Sequence, residues 1–153
     1  RLGNTADEIK AVLGEPESVH KNSLYYFGNE LRIDIGGDGK AEFIEFLGGT
    51  DGALQPAIYD VPAFKTGSDE LYALLAEKNG GGIDDRENGY SYAFLNISVG
   101  VYRESIPENV EEMAAEAERE GYPLSAEDIA EERKKAAFWA TVGIGTAGYY
   151  GNL

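Results

Sequence analysis

The sequence predicts an α+β fold in which two helix-plus-β-hairpin units form one mainly antiparallel sheet. Three observations lead to this prediction: a capped helix followed by apolar alternation, a second copy of that order, and an acidic helical stretch before the last strand. The chain has 153 residues, a length typical of one domain with a sizeable core, so a single domain over residues 1–153 is expected.

The first unit, residues 4–49, begins with a short helix in NTADEIKAVLGEP. Thr5 and Glu8 form a capping box, apolar residues recur at helical spacing, and Gly14 followed by Pro16 ends the helix. SLYYF and ELRIDI then alternate with a period of two and predict two strands, and KAEFIEF predicts a third.

The stretch DIGGDGKAEFIE spaces its acids almost as a calcium-binding EF-hand loop does. Such a loop lies between helices and takes a side-chain ligand at its third position, whereas here a strand precedes it and that position is Gly36. We therefore expect a hairpin turn whose glycines supply positive φ, with no metal site and no cofactor.

The same order returns in a second unit, residues 66–147. The pattern D-E-[IL]-x-A-[VL]-L occurs in both helices, and Y-x-F-x-N occurs at 25–29 and again at 92–96. Short amphipathic helices share a pattern by physics, so chance similarity is the alternative. The second matching block favours a duplication.

An acidic insertion, residues 106–137, interrupts the second unit before its last strand, FWATVGI. Pro107 fits a helix start and Ser125 can cap a second helix. Between Glu108 and Glu132 there are ten acids and one basic residue. Such a run is typical of a solvated helix face, and it is equally a docking surface for a cationic partner.

The whole chain is acidic, with 28 Asp and Glu against 13 Lys and Arg and a net charge of −15. This balance argues against nucleic-acid binding, which needs a basic face. It favours either solubility alone or a basic protein partner. The absence of cysteine excludes disulfides and thiolate zinc sites and fits a cytoplasmic location. A start at Arg1 is compatible with a trimmed leader, which keeps a secreted or envelope location open; no membrane span is expected.

An enzyme is not expected. His20 is the single histidine, so neither a histidine-rich metal site nor a Cys-His pair can be built. GIGTAGYYG imitates a dinucleotide loop, but no helix follows it. A carboxylate pair of the kind glycosidases use carries no information among so many acids.

Strand alternation predicts which aromatic side chains lie on a free sheet face. With the aliphatic residues inward, Tyr26, Tyr102 and Trp139 point outward and become anchors for a partner. The alternative is that helices cover this face and make the three residues part of the core.

The motif T-x-D-E-I-x-x-x-L-G-E-P before an aromatic-rich hairpin resembles the unit of the β-lactamase inhibitory proteins and of small outer-membrane assembly lipoproteins. The resemblance covers Thr5 to Leu47 best. It implies a tandem of two units whose sheets grip an enzyme. The chain lacks the cysteines of the secreted inhibitors, and its acidic, cysteine-free character is similar to that of bacterial immunity proteins.

The expected function is therefore that of a non-catalytic immunity or inhibitor protein that occludes a basic toxin or enzyme. Glu111, Glu112 and Glu118 are the acids expected to attract it, and the aromatic anchors are expected to retain it. The alternatives are an envelope or secreted scaffold for other proteins and a small carbohydrate-active enzyme. The sequence leaves the oligomeric state open.

Overall fold

The computed structural model describes residues 1–152. Its helices are α1 (Ala6–Leu13), α2 (Ser68–Asn79), α3 (Pro107–Arg119) and α4 (Ala126–Ala137). Its strands are β1 (Ser18–His20), β2 (Ser23–Tyr26), β3 (Leu31–Ile35), β4 (Ala41–Phe46), β5 (Ala57–Ile58), β6 (Val61–Pro62), β7 (Ile83–Asp84), β8 (Ser91–Phe94), β9 (Val99–Tyr102) and β10 (Thr141–Gly145). Short 3-10 turns occupy Gly49–Asp51 and Tyr150–Asn152. Leu153, the end of the predicted domain, lies outside the described residues.

Eight strands form one sheet in the order β1-β2-β3-β4-β10-β9-β8-β7, and every neighbouring pair is antiparallel. Strands β5 and β6 form a separate two-stranded ribbon. The predicted α+β class with a mainly antiparallel sheet is confirmed. None of the described helices combines the length and apolar composition that crossing a bilayer requires.

The order of the sheet reads the same from either edge to the centre. In each half of the chain a helix is followed by three strands, which lie side by side from the edge of the sheet inward in chain order. The fourth strand of each half lies at the centre of the sheet, where it pairs with the fourth strand of the other half. That central pair is β4 with β10, and helices α3 and α4 are inserted between β9 and β10. A tandem duplication would produce this order, and the duplication itself stays a prediction.

The local signals at helix ends and turns are confirmed. Thr5 caps α1, since its side-chain oxygen accepts a bond from the Glu8 amide at 3.2 Å and its own amide donates to the Glu8 carboxylate at 3.2 Å. Ser125 caps α4 through the amide of Asp128 at 3.0 Å. The suspected calcium loop is the hairpin turn between β3 and β4, where Gly39 has φ +76°.

Helices α1 and α2 cover the same face of the sheet, each over its own half. Beneath α1 the buried cluster includes Ile9, Leu24, Tyr26, Leu31, Ile33 and Ala41. Beneath α2 it includes Ala63, Phe64, Leu71, Leu75, Phe94, Val99, Val101, Trp139 and Val142. The half-buried Phe46 packs against both clusters, which joins them across the centre of the sheet.

The base of the insertion is held by a buried arginine. The Arg103 guanidinium lies 4.9 Å from the centre of the Trp139 ring and donates to the carbonyl of Gly89, the hydroxyl of Ser68 and the carbonyl of Ala136 at 2.8–3.1 Å. These contacts tie the end of β9 to the start of α2 and the end of α4. A cation at the C-terminal end of α4 also complements the partial negative charge there.

We expect Leu75→Ala to lower the free energy of unfolding by about 2–5 kcal/mol, because Leu75 is fully buried in the cluster beneath α2. Leu13, its equivalent under the predicted duplication, is only partly buried, so Leu13→Ala should cost less. Urea unfolding measures both. The matched control is Val12→Ala, since Val12 is 79% exposed; a loss there as large as for Leu75 would contradict the assignment of the core.

Candidate functional site

Helices α1 and α2 leave the opposite face of the sheet uncovered, and we call it the open face. Because side chains alternate along each strand, the residues next to the inward ones point towards the open face. Central strands contribute Arg32 and Asp34 from β3 and Phe43 and Glu45 from β4, and the second half contributes Tyr102 from β9. The open face is therefore mixed in character, with charged and aromatic groups side by side.

A cleft of about 620 Å³ lies on the open face, across β4, β10, β9 and β8. Its floor is formed by small residues, including Ser91, Ala93 and Gly100. We call it the open-face cleft. Its walls are made by charged and aromatic side chains, namely Arg32, Phe43, Glu45, Asp84, Arg86, Glu87, Tyr102, Tyr149 and Tyr150.

The segment after β10 folds back onto the open face and places two tyrosines there. The amide of Thr146 donates to the carbonyl of Glu42 at 2.9 Å, which fixes the start of the segment. The Tyr149 ring stacks on Phe43 with 4.7 Å between ring centres and 6° between planes. Tyr150 meets Phe43 edge-on at 6.0 Å. These contacts bury Phe43 although it lies on the face away from the helices.

Three glycines provide the space into which these tyrosines pack. A Cβ on Gly100 or on Gly143 would clash with the Tyr150 and Phe43 rings respectively, and a Cβ on Gly145 would clash with Tyr149. Burial, with the nearby Glu45 carboxylate, raises the pKa of the Tyr150 phenol above its ordinary value.

One wall of the cleft is an ion-pair network centred on Arg32. Its guanidinium binds Asp34 in a bidentate manner at 2.9 and 2.7 Å, and the Ser23 hydroxyl donates to the same carboxylate at 2.6 Å. Burial acts to raise the pKa of Asp34, but the bonds from Arg32 and Ser23 outweigh it and hold that pKa below its ordinary value. Glu45 lies 3.6 Å from Arg32, and burial raises its pKa.

The wall on the other side is a second arginine–carboxylate pair. Arg86 donates from Nε to both oxygens of Asp84 at 2.9 Å. These hydrogen bonds lower the pKa of Asp84 and raise that of Arg86. Glu87 lines the cleft beside this pair. The open-face cleft therefore lies between two arginines, each of which is paired with a carboxylate.

Of the three predicted aromatic anchors, Tyr102 is placed as expected. It is 41% exposed and lines the open-face cleft. The prediction that Tyr26 and Trp139 point outward is wrong, since they are 3% and 1% exposed.

Tyr26 is buried because the structural alignment of the two hairpins differs by one residue from the alignment that the Y-x-F-x-N motif predicts. The last pair of each hairpin is Tyr26 with Leu31 and Phe94 with Val99, so Tyr26 corresponds in position to Phe94. A slip of one residue moves a side chain to the opposite face of a strand. Tyr26 therefore faces α1, and its hydroxyl donates to the carbonyl of Gly14 at 2.9 Å.

Trp139 is buried because the last strand starts later than predicted. Strand β10 begins at Thr141, so Trp139 precedes the strand and its alternation does not apply there. The indole donates to the carbonyl of Ser68 at 3.0 Å and packs under Arg103. Ile144 lies on the helix-covered face, opposite Ile44 and Val99, and is 41% exposed there.

The predicted acidic residues Glu111, Glu112 and Glu118 are all exposed, on α3 and away from the open-face cleft. Glu111 pairs with Arg133 of α4 at 3.0 Å. Of the ten acids from 108 to 132, nine are exposed, so the insertion presents its charge to solvent. Within residues 1–152, no group of three or more His, Asp or Glu side chains is placed to hold a metal ion.

Sequence reasoning missed the cleft residues Arg32, Glu45, Tyr149 and Tyr150. The signal for them in the sequence is GIGTAGYYG, in which a glycine-rich strand precedes two tyrosines; missing side chains on a strand leave room for aromatic rings that follow it. Comparison with protein-family models, curated proteins and solved structures finds no significant match to this chain.

We expect Gly100→Ala to displace the Tyr150 ring, because the new Cβ would overlap the flexible end of that side chain. Exposure of the phenol should shift its pKa down towards the ordinary value of about 10. Absorbance titration of the tyrosines, compared with Tyr150→Phe, measures this. The control is Gly37→Ala, where a Cβ meets open space. An unchanged titration would contradict the packing.

The depressed pKa of Asp34 predicts a contribution to stability that is present above its unfolded value and lost as pH falls through its folded value. Asp34→Asn should cost about 1–3 kcal/mol at pH 7 and flatten the decline in stability below about pH 4. Urea unfolding as a function of pH measures both effects. Asp85→Asn, at an exposed position, is the control; equal behaviour of the two variants would refute the role of the network.

Proposed function

We propose that the chain is a non-catalytic binding protein that docks another protein on the open face of its sheet. In the more specific form of the proposal it is an immunity or inhibitor protein, acting in the cytoplasm, that occludes a basic toxin or enzyme. The observation that carries the proposal is the open-face cleft itself, which lies where no helix covers the sheet and has exposed aromatic and charged walls.

The composition of the cleft supports docking of a protein. Tyrosine and arginine are enriched among residues that dominate binding energies, because they combine large contact area with hydrogen bonding. Tyr102, Tyr149 and Tyr150 supply such area around one cavity, and Arg32 and Arg86 flank it. These replace Tyr26 and Trp139, whose burial removes them from any docking surface.

The charge of the insertion supports a basic partner. Nine exposed acids on and between α3 and α4 produce a negative potential that extends about 10 Å at 0.1 M salt. Such a field accelerates association with a cationic protein more than it stabilises the complex. The two surfaces therefore have separable roles, with the insertion governing association and the open-face cleft governing dissociation.

Reversal of Glu111, Glu112 and Glu118 to Lys should slow association with the partner and flatten its salt dependence, while changing the dissociation rate little. The partner is first captured from cells of the native host, and its rates are then measured by surface plasmon resonance. The matched control reverses three exposed acids elsewhere, Asp7, Glu15 and Glu77. Equal slowing by both triple variants would show that only total charge matters.

Tyr102→Ala should instead speed dissociation, at a cost of about 2 kcal/mol or more, because Tyr102 is the exposed aromatic of the cleft wall. Phe27→Ala, at an exposed aromatic position in the β2–β3 turn, is the matched control and should leave dissociation unchanged. An acidic partner, or rates indifferent to Tyr102, would contradict the proposal. A partner whose activity persists in the complex would favour a scaffold over an inhibitor.

A further inference from the structure

We infer that the open-face cleft receives a guanidinium group, an arginine side chain on a projecting segment of the partner, with Glu45 as its counter-ion. This inference makes the proposed function more specific. It rests on the proposed function in one respect, namely that the arginine belongs to a protein partner. It follows from which charges in the cleft are already satisfied, from the shape of the floor and from a contact of the same kind within the chain.

In the cleft both arginines are bound to a carboxylate, whereas two carboxylates have no close cation. Arg32 is bound by Asp34 through two hydrogen bonds, and Arg86 is bound by Asp84. Among the described residues, Glu45 accepts no hydrogen bond and has only the 3.6 Å contact with Arg32. Its carboxylate is largely withdrawn from water, so it gains more from a cation than an exposed acid does.

Glu87 gives the cleft a second negative group without a partner. It forms no ion pair within 4.0 Å among the residues that the structure describes, and it lines the cleft on the side of Arg86. The charged residues that line the cleft are Glu45, Asp84, Glu87, Arg32 and Arg86, with a formal charge of −1, and Asp34, which binds Arg32 beside the cleft, brings the sum to −2. An incoming anion would be repelled here, and an incoming cation would be attracted.

The shape of the cleft suits a flat group. Ser91 and Ala93 of β8 leave a low floor, while the Tyr150 hydroxyl fills the space above the neighbouring Gly100. The Tyr102 side chain lines the cleft and is 41% exposed. A planar guanidinium can stack on a ring while its edge donates to a carboxylate, which an ammonium group cannot do with the same geometry.

The chain already contains this arrangement once at the edge of the same cleft. The Arg32 guanidinium lies 5.6 Å from the centre of the Phe43 ring while its edge binds Asp34. Phe43 in turn stacks on Tyr149. The partner's arginine would repeat this geometry with the neighbouring carboxylate, Glu45, and the neighbouring tyrosine rings.

The test uses the full chain and four capped tripeptides as probes: acetyl-Gly-X-Gly-amide, in which X is arginine, lysine, citrulline or glutamate. Citrulline has the shape of arginine without its charge. Amide resonances in ¹H–¹⁵N spectra report binding. The arginine peptide should shift the amides of Ala93, Gly100 and Tyr102 saturably, with millimolar affinity because one side chain buries little area. Citrulline and glutamate should bind at least about tenfold more weakly, and lysine less tightly than arginine.

Glu45→Gln should weaken the arginine peptide about tenfold or more, since a charge-assisted bond is lost. Glu77→Gln is the matched control, because it removes the same charge from an exposed site on α2 outside the cleft and outside the acidic insertion, and it should leave affinity within twofold. Tyr102→Ala is a second variant that removes the ring and keeps Glu45. Dispersed spectra of each variant establish that it is folded.

Equal binding of arginine and citrulline peptides, equal loss in Glu45→Gln and Glu77→Gln, or shifts confined to α3 and α4 would each overturn the inference. If a basic partner is captured and Glu45→Gln binds it as tightly as the parent chain does, the inference fails and the proposed function stands. If the arginine peptide binds as expected but no protein is bound on the open face, the cation site stands and the proposed function fails.

Discussion

The pairing of β4 with β10 is the contact on which the rest of the structure depends. It is antiparallel and runs from Phe46 opposite Val142 to Phe43 opposite Gly145. Each half of the chain has its own helix and its own buried cluster, and without this pairing each would expose a long central strand as an edge, which invites aggregation. The pairing closes both edges. The outer edges that remain are β1 and β7, strands of three and two residues.

The central position of β10 also determines the character of the open face. Glycines weaken a strand, because they add no side chain to the sheet and cost backbone entropy. In β10, Gly143 and Gly145 lie on the open face, and their missing side chains leave the space that Tyr149, Tyr150 and Phe43 fill. Gly143 and Gly145 therefore weaken β10 itself, but they allow the segment after β10 to pack on the sheet. That segment forms one wall of the cleft.

The acidic insertion is attached at its base and otherwise faces solvent. Helix α3 buries Val110 and helix α4 buries Ala136, whereas the guanidinium of Arg103 joins the base to α2 and Trp139. The burial of this guanidinium is compensated by the carbonyl and hydroxyl oxygens that accept its hydrogen bonds and by the aromatic face of Trp139. Nine carboxylates of the insertion are exposed to solvent, and one of them, Glu111, is paired with Arg133 of α4.

The sequence by itself determined the features that act within a few residues. Caps at Thr5 and Ser125 and the turn between β3 and β4 were predicted correctly, because a cap and a positive φ depend on near neighbours. The α+β class followed from the order of these elements. The outward direction of Tyr102 was also correct.

Tertiary structure alone decided that Tyr26 and Trp139 are buried and that Arg32, Glu45, Asp84 and Tyr150 surround one cleft. A shift of one residue in register reverses a side chain, and register is set by pairing between distant strands rather than by local pattern.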